Sequence, residues 1–144
     1  MTLLFGAGTD IIEVERVGQK LVRTGGLKEK LFTPREIAYC ESKKKSAQHF
    51  AARFAAKEAF LKAMGTGWRE GYRFDEIEIV NNEAGKPEIV VHGKVKAFCE
   101  EKGVSIMHVT LSHLKDLAQA VVILETQSKE QGKTCRTWAF MKRE

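Results

Sequence analysis

Glu58 and Lys62, one helical turn apart in the run Phe50-Ala51-Ala52-Arg53-Phe54-Ala55-Ala56-Lys57-Glu58-Ala59-Phe60-Leu61-Lys62, are the residues best placed to do chemistry. At about 100° per residue, Ala47, Ala51, Phe54, Ala55 and Leu61 fall on one apolar stripe flanked by Phe50, with Glu58 in its middle. A carboxylate there must be neutralised, because burying an unpaired charge is prohibitively costly. The helix is therefore expected to present an anion and a cation from a largely apolar wall, which suits a metal-phosphate site. The opposing reading is an i,i+4 surface ion pair worth about 0.3–0.5 kcal/mol. Arg53 and Lys57 are expected on the flank of this helix, as solvated charges or as the rim of an anion site.

Asp10 stands behind Gly6-Ala7-Gly8 at the end of an expected strand. It is open to two readings. It caps the next helix, or it joins Glu58 as a pair of hard oxygen ligands. Two carboxylates from separate elements suit Mg²⁺, which typically takes one or two carboxylates plus substrate phosphates. Thr110-Leu111-Ser112-His113 ends a strand at a tight connection, where His113 would bind phosphate, move a proton or serve structure. Arg16, Lys20 and Arg23 share a helix face opposite Val14, Val17 and Leu21. They form either a solvated face or a docking stripe for an acidic helical partner.

The elements that must position these groups are legible. Leu3 to Thr9 is an expected strand, and Val14 to Leu21 an expected helix ended by Gly25-Gly26. Thr33-Pro34-Arg35-Glu36 reads as a capping box with proline at the first helical position. A long central helix is expected from a Ser46 cap to about Met64, stopped by Gly65-Thr66-Gly67. Ile77–Val80 and Glu88–His92 read as a hairpin across a turn-rich link. A short helix from Lys94 to Lys102 and strands Ile106–Ser112 and Leu117–Leu124 follow. The expected class is α+β, with a small antiparallel sheet packed against helices.

At 144 residues and 43% hydrophobic content, one domain with a real core is expected over residues 1–125, followed by a polar basic extension at 126–144. The extension holds five basic and two acidic residues, +3 of the net +5, so the body is only weakly basic. That argues against nucleic acid as partner. No apolar run approaches a membrane span and no signal segment is legible, so a cytoplasmic protein is expected. Cys40, Cys99 and Cys135 are unpaired in spacing and are expected as reduced thiols.

Three blocks together resemble the holo-acyl-carrier-protein synthase family of 4′-phosphopantetheinyl transferases: Gly6-Ala7-Gly8-Thr9-Asp10-Ile11, Phe50 to Lys62, and Thr110-Leu111-Ser112-His113, with Gly85-Lys86-Pro87 between the last two. The resemblance covers residues 1–125. It implies the 4′-phosphopantetheinyl transferase fold and transfer of phosphopantetheine from coenzyme A to a serine of apo acyl carrier protein, leaving 3′,5′-ADP. It implies Mg²⁺ on Asp10 and Glu58, Glu58 as the base for the serine, and Lys62 at the leaving phosphate. It further implies a homotrimer with each site between neighbours. Lys45, Pro87 and His113 would come from the neighbour, with His113 near the 3′-phosphate, while Arg53 and Gly65 contact nucleotide. Arg16, Lys20 and Arg23 would dock the carrier, which serves fatty-acid or polyketide synthesis. The extension after Glu125 departs from the family.

Two other classes remain on the sequence alone. A non-catalytic coenzyme A or nucleotide-binding module would need the basic groups but not the Asp10 and Glu58 pair. A nucleic-acid binder would need aromatics interleaved with basic residues, whereas Phe50, Phe54 and Phe60 read as core.

Overall fold

The computed structural model describes residues 1–67 and 71–127. The extension from Ser128 onward, with Cys135, lies outside the described residues. Strand β1 (Thr2–Glu13) leads into α1 (Val14–Arg23), α2 (Leu27–Leu31), α3 (Pro34–Glu41) and the long α4 (Ser46–Met64). A single 3-10 turn, Phe74–Glu76, precedes β2 (Ile77–Asn81) and β3 (Pro87–Val91). Helix α5 (Gly93–Lys102) and strands β4 (Val104–His113) and β5 (Leu117–Gln127) complete the order. The architecture is the α+β arrangement expected. One antiparallel sheet has the order β1-β5-β4, and β2-β3 form a separate hairpin.

The first strand is longer than expected, and that matters for Asp10. It lies inside β1, opposite Ala120 of β5, while the N-cap of α1 is Glu13, whose side chain makes no capping bond. Asp10 is therefore not a helix cap. Ser46 likewise sits inside α4, whose N-cap is Lys45. The box at Thr33 forms as expected: Thr33 accepts from the Glu36 amide, and Glu36 accepts from the Thr33 amide. The short α2 had no legible signal beyond Gly26 before it.

Helix α4 is the keel of the molecule. On β5, alternate residues Ala118, Ala120, Val122 and Leu124 turn inward with about 0–1% exposure and build the core with the α4 alanines and Phe60. Gly6 and Gly8 let β1 lie almost backbone to backbone on the same helix. A Cβ added at either would come within 2.0 Å of a carbonyl oxygen, that of Ala63 or Ala59. Gly65 then ends α4 at φ +82, a left-handed conformation that glycine adopts without steric cost. Since twelve of its nineteen residues are buried, α4 has no single apolar stripe. That overturns the expected setting of Glu58.

Candidate functional site

Glu58 is only half-buried, and its neighbour Lys57 is the charge in the core. Lys57 has no exposed surface and donates to Glu36 at 2.8 Å, to the Phe74 carbonyl at 3.0 Å and to the Ile77 carbonyl. The other Glu36 oxygen accepts the Ile79 amide at 2.8 Å. Lys57 thus meets its three donor needs and lies over the Phe32 ring. Lys57 and Arg53 were expected as solvated charges or as the rim of an anion site; Lys57 is fully buried, whereas Arg53, also buried, lines a groove of its own. Burial pulls the Lys57 ammonium down, with Glu36 opposing.

Glu58 instead opens into a groove of about 300 Å³ with Asp10, Arg16 and Lys20, whose apolar floor includes Ile12, Leu31 and Phe54. The close β1–α4 seam sets the relation of the two carboxylates, because Gly8 and Asp10 belong to one strand and Ala59 adjoins Glu58. Lys62 bridges the same seam, donating to the Thr9 carbonyl at 2.9 Å and to Asp10 at 3.2 Å. The Asp10 side chain is 17% exposed and that of Lys62 57%. Asp10, Glu58, Lys62, Arg16 and Lys20 are therefore gathered on one side. Arg23, exposed in the last turn of α1, does not line this groove.

A second groove of about 400 Å³ collects cations. Arg53, His49 and His113 line it together with Asn81, Lys86 and Pro87. Arg53 is 2% exposed and stacks on Tyr39 at 4.1 Å, and its Nε has no hydrogen-bond partner among the described residues. The rings of His49 and His113 meet edge to face at 5.9 Å. Burial, followed by the charges of Arg53, His113 and Lys43, pushes the His49 imidazole below its ordinary value. Sequence reasoning gave His49 no role. Its only signal was its place one turn before Arg53 on the same helix.

The expected nucleotide residues are not all together. Lys45 and Gly65 cap opposite ends of α4, roughly 30 Å apart at 1.5 Å per residue. Arg53 and Glu58 point about 140° apart around the same axis. One chain thus carries an acidic groove and a cationic groove on different sides of one helix.

The donor set fits a hard divalent cation. Asp10 and Glu58 bring only oxygen, from two elements, to one groove. Among the described residues no group of three or more His, Cys, Asp or Glu side chains is placed to hold a metal. Two carboxylates with the other positions left to water and phosphate are what Mg²⁺ takes in phosphate chemistry. Among the described residues neither thiol is activated, since burial pushes Cys40 up to about 12 and Cys99 up to about 11. Among the described residues no helix is long and apolar enough to cross a membrane.

Residues 6–122 match the family model described as the 4′-phosphopantetheinyl transferase superfamily. The chain is 46% identical over 125 residues to a holo-[acyl-carrier-protein] synthase of Geotalea daltonii, covering 85% of this chain and 99% of that one. Its fold is similar to the crystal structure of holo-[acyl-carrier-protein] synthase from Neisseria meningitidis, with TM-score 0.78 and 33% identity over 86% of this chain and 100% of that one. It is also similar to the Bacillus anthracis holo-(acyl-carrier-protein) synthase solved in complex with CoA (3′,5′-ADP), with TM-score 0.72 and 33% identity over 86% and 98% of the two chains.

Proposed function

The chain belongs to the 4′-phosphopantetheinyl transferase superfamily, and from that premise we propose that it transfers the 4′-phosphopantetheine arm of coenzyme A to a serine of an apo acyl carrier protein, releasing 3′,5′-ADP. The carrier serves fatty-acid or polyketide synthesis in the cytoplasm. The observation that carries this reading is the groove in which Asp10 of β1 and Glu58 of α4 stand together beside Lys62.

Asp10 and Glu58 would hold Mg²⁺, which when bound supplies Lewis-acid polarisation and orientation of the coenzyme A pyrophosphate. Glu58 accepts the proton of the carrier serine as its Oγ attacks the β-phosphorus. The bond from that phosphorus to the bridging oxygen breaks, and its electron pair leaves with 3′,5′-ADP. Lys62, tethered at Thr9 and Asp10, neutralises the departing phosphate. Arg16 and Lys20, on the rim of the same groove, receive the acidic face of the carrier and steer its approach.

The second groove takes the nucleotide end of coenzyme A. A buried guanidinium with no carboxylate partner among the described residues is completed by a ligand phosphate, with His113 and Lys86 beside it. The two grooves lie on different sides of α4, so a full site is assembled between copies, in a homotrimer. The outward face of β5 supports this: Leu117 and Ile123 are 38% and 37% exposed, and Ile11 on β1 is 60% exposed.

The test is intact mass spectrometry of an apo acyl carrier protein incubated with this protein, coenzyme A and Mg²⁺, beside an EDTA control. A gain of one phosphopantetheine arm that EDTA abolishes is the expected result. No gain with carriers from fatty-acid and polyketide synthesis would overturn the proposal. Light scattering of the free protein tests the trimer independently.

A further inference from the structure

We propose that Asn81 is a positioning residue that gives the cationic groove its selectivity for phosphate, by orienting Arg53 through a neutral acceptor that leaves the guanidinium charge available. The inference rests on the nucleotide reading of that groove.

Elsewhere this chain fixes important cations with carboxylates. Lys57 has Glu36, and Arg35 has Glu78 in a two-point pairing with both distances at 3.0 Å. Arg53 is treated differently. Its side-chain acceptor is the Asn81 Oδ1, at the end of β2. Stacking on Tyr39 fixes the guanidinium plane, and the amide fixes its rotation within that plane. No carboxylate neutralises it among the described residues. The Arg53 charge is consequently not ion-paired within the groove; the His49 imidazole there is pushed down first by burial and only then by Arg53.

The amide orientation follows from chemistry. Arginine only donates, so Oδ1 must face Arg53, and Nδ2 then donates to the Gly85 carbonyl at 2.9 Å. Gly85 belongs to the turn between β2 and β3, where Asn82 Oδ1 accepts the amides of Ala84 and Lys86, both at 2.9 Å. One side chain therefore ties a guanidinium on α4 to the turn that carries Lys86 and Pro87, the opposite wall of the groove. Aspartate has the same shape but would neutralise Arg53 and set an oxygen against the Gly85 carbonyl.

The experiment compares coenzyme A with 3′-dephospho-coenzyme A by calorimetry on the full chain, for wild type, N81D and N81A. Wild type is expected to prefer coenzyme A. N81D should lose about 10- to 100-fold in affinity for coenzyme A and far less for the dephospho form, so that the preference collapses; this is the range of one hydrogen bond to a charged group. N81A, which leaves the guanidinium charged but unoriented, should weaken coenzyme A binding several-fold and dephospho-coenzyme A binding little, so that the preference shrinks without collapsing; an undiminished preference in N81A would overturn the orienting role. Equal losses for both ligands in N81D, or no loss, would overturn the proposal, and equal losses with a lowered melting temperature would assign Asn81 to the turn alone. A wild type that binds both ligands equally would also overturn it, by removing the phosphate from this groove. That failure is distinct from failure of the transfer reaction, which mass spectrometry reads separately.

Discussion

Lys62 holds Asp10 at 3.2 Å across the seam between α4 and β1. A cation therefore already sits against one of the two carboxylates expected to hold Mg²⁺. Replacing it with alanine has two opposed consequences. Removing a positive charge beside Asp10 tightens Mg²⁺ binding to the free protein. It also removes a group that stabilises the leaving phosphate, which costs on the order of 10²-fold in kcat. Calorimetric titration with Mg²⁺, beside turnover measured by mass, checks both. Weaker Mg²⁺ binding in Lys62→Ala would mean that Lys62 positions Asp10 more than it competes for it.

Glu58→Gln should keep the melting temperature, because the side chain opens into a groove and is not held in the core. Transfer should fall by about 10²–10⁴, the range for loss of a positioned general base. A single-turnover assay at saturating carrier separates this from weakened binding. Undiminished turnover would remove Glu58 from the chemistry.

Arg16→Glu reverses a charge on the rim of the acidic groove. The expected result is a KM for carrier protein raised about tenfold or more, with the KM for coenzyme A little changed. Varying each substrate in turn gives the split. Equal effects on the two constants would argue against carrier docking on α1.

Glu78 contributes to the acid sensitivity of the fold. Arg35 chiefly, with His92 and Thr33, holds its carboxyl from 4.5 down to about 2. A folded pKa below the unfolded one contributes stability above about pH 4.5, and this is lost as pH falls through 2. Glu78→Gln should cost about 1–3 kcal/mol at neutral pH and flatten the loss of stability between those limits. Urea melts at stepped pH measure it. An unchanged acid limb would place the sensitivity elsewhere.

Adjacent residues Lys57 and Glu58 define how far the sequence could be read. Local signals were sufficient for the capping box at Thr33, the glycine stop at Gly65 and the hairpin at Ile77. Helical periodicity, however, set Glu58 in the middle of an apolar stripe and Lys57 on its flank, whereas the structure half-buries Glu58 in a groove and buries Lys57 fully. The reason is that Lys57 is satisfied by Glu36, twenty-one residues away, and by two carbonyls of the segment around Phe74. No local pattern shows such a partner. Glu36 was read as a cap, and it is one, but its second role depends on tertiary contact. The same limit hid His49, whose meaning comes from His113 on another element. The separation of acidic from cationic groove was legible only through the resemblance, which implied a site shared between neighbouring subunits.

The sheet order β1-β5-β4 has a consequence for how the protein comes into being on the ribosome. Asp10 is made long before Ala120, yet its strand pairs only with β5 among the described residues, through contacts such as Asp10 opposite Ala120 and Thr2 opposite Gln127. Contacts so distant along the chain form late. The nascent chain can assemble α4 with Glu58 and Lys62 well before Asp10 has a strand to lie against. Until synthesis passes β5, β1 has helix α4 to pack against but no hydrogen-bonded partner strand, so the seam that joins Asp10 to Glu58 lacks the sheet that holds it in place.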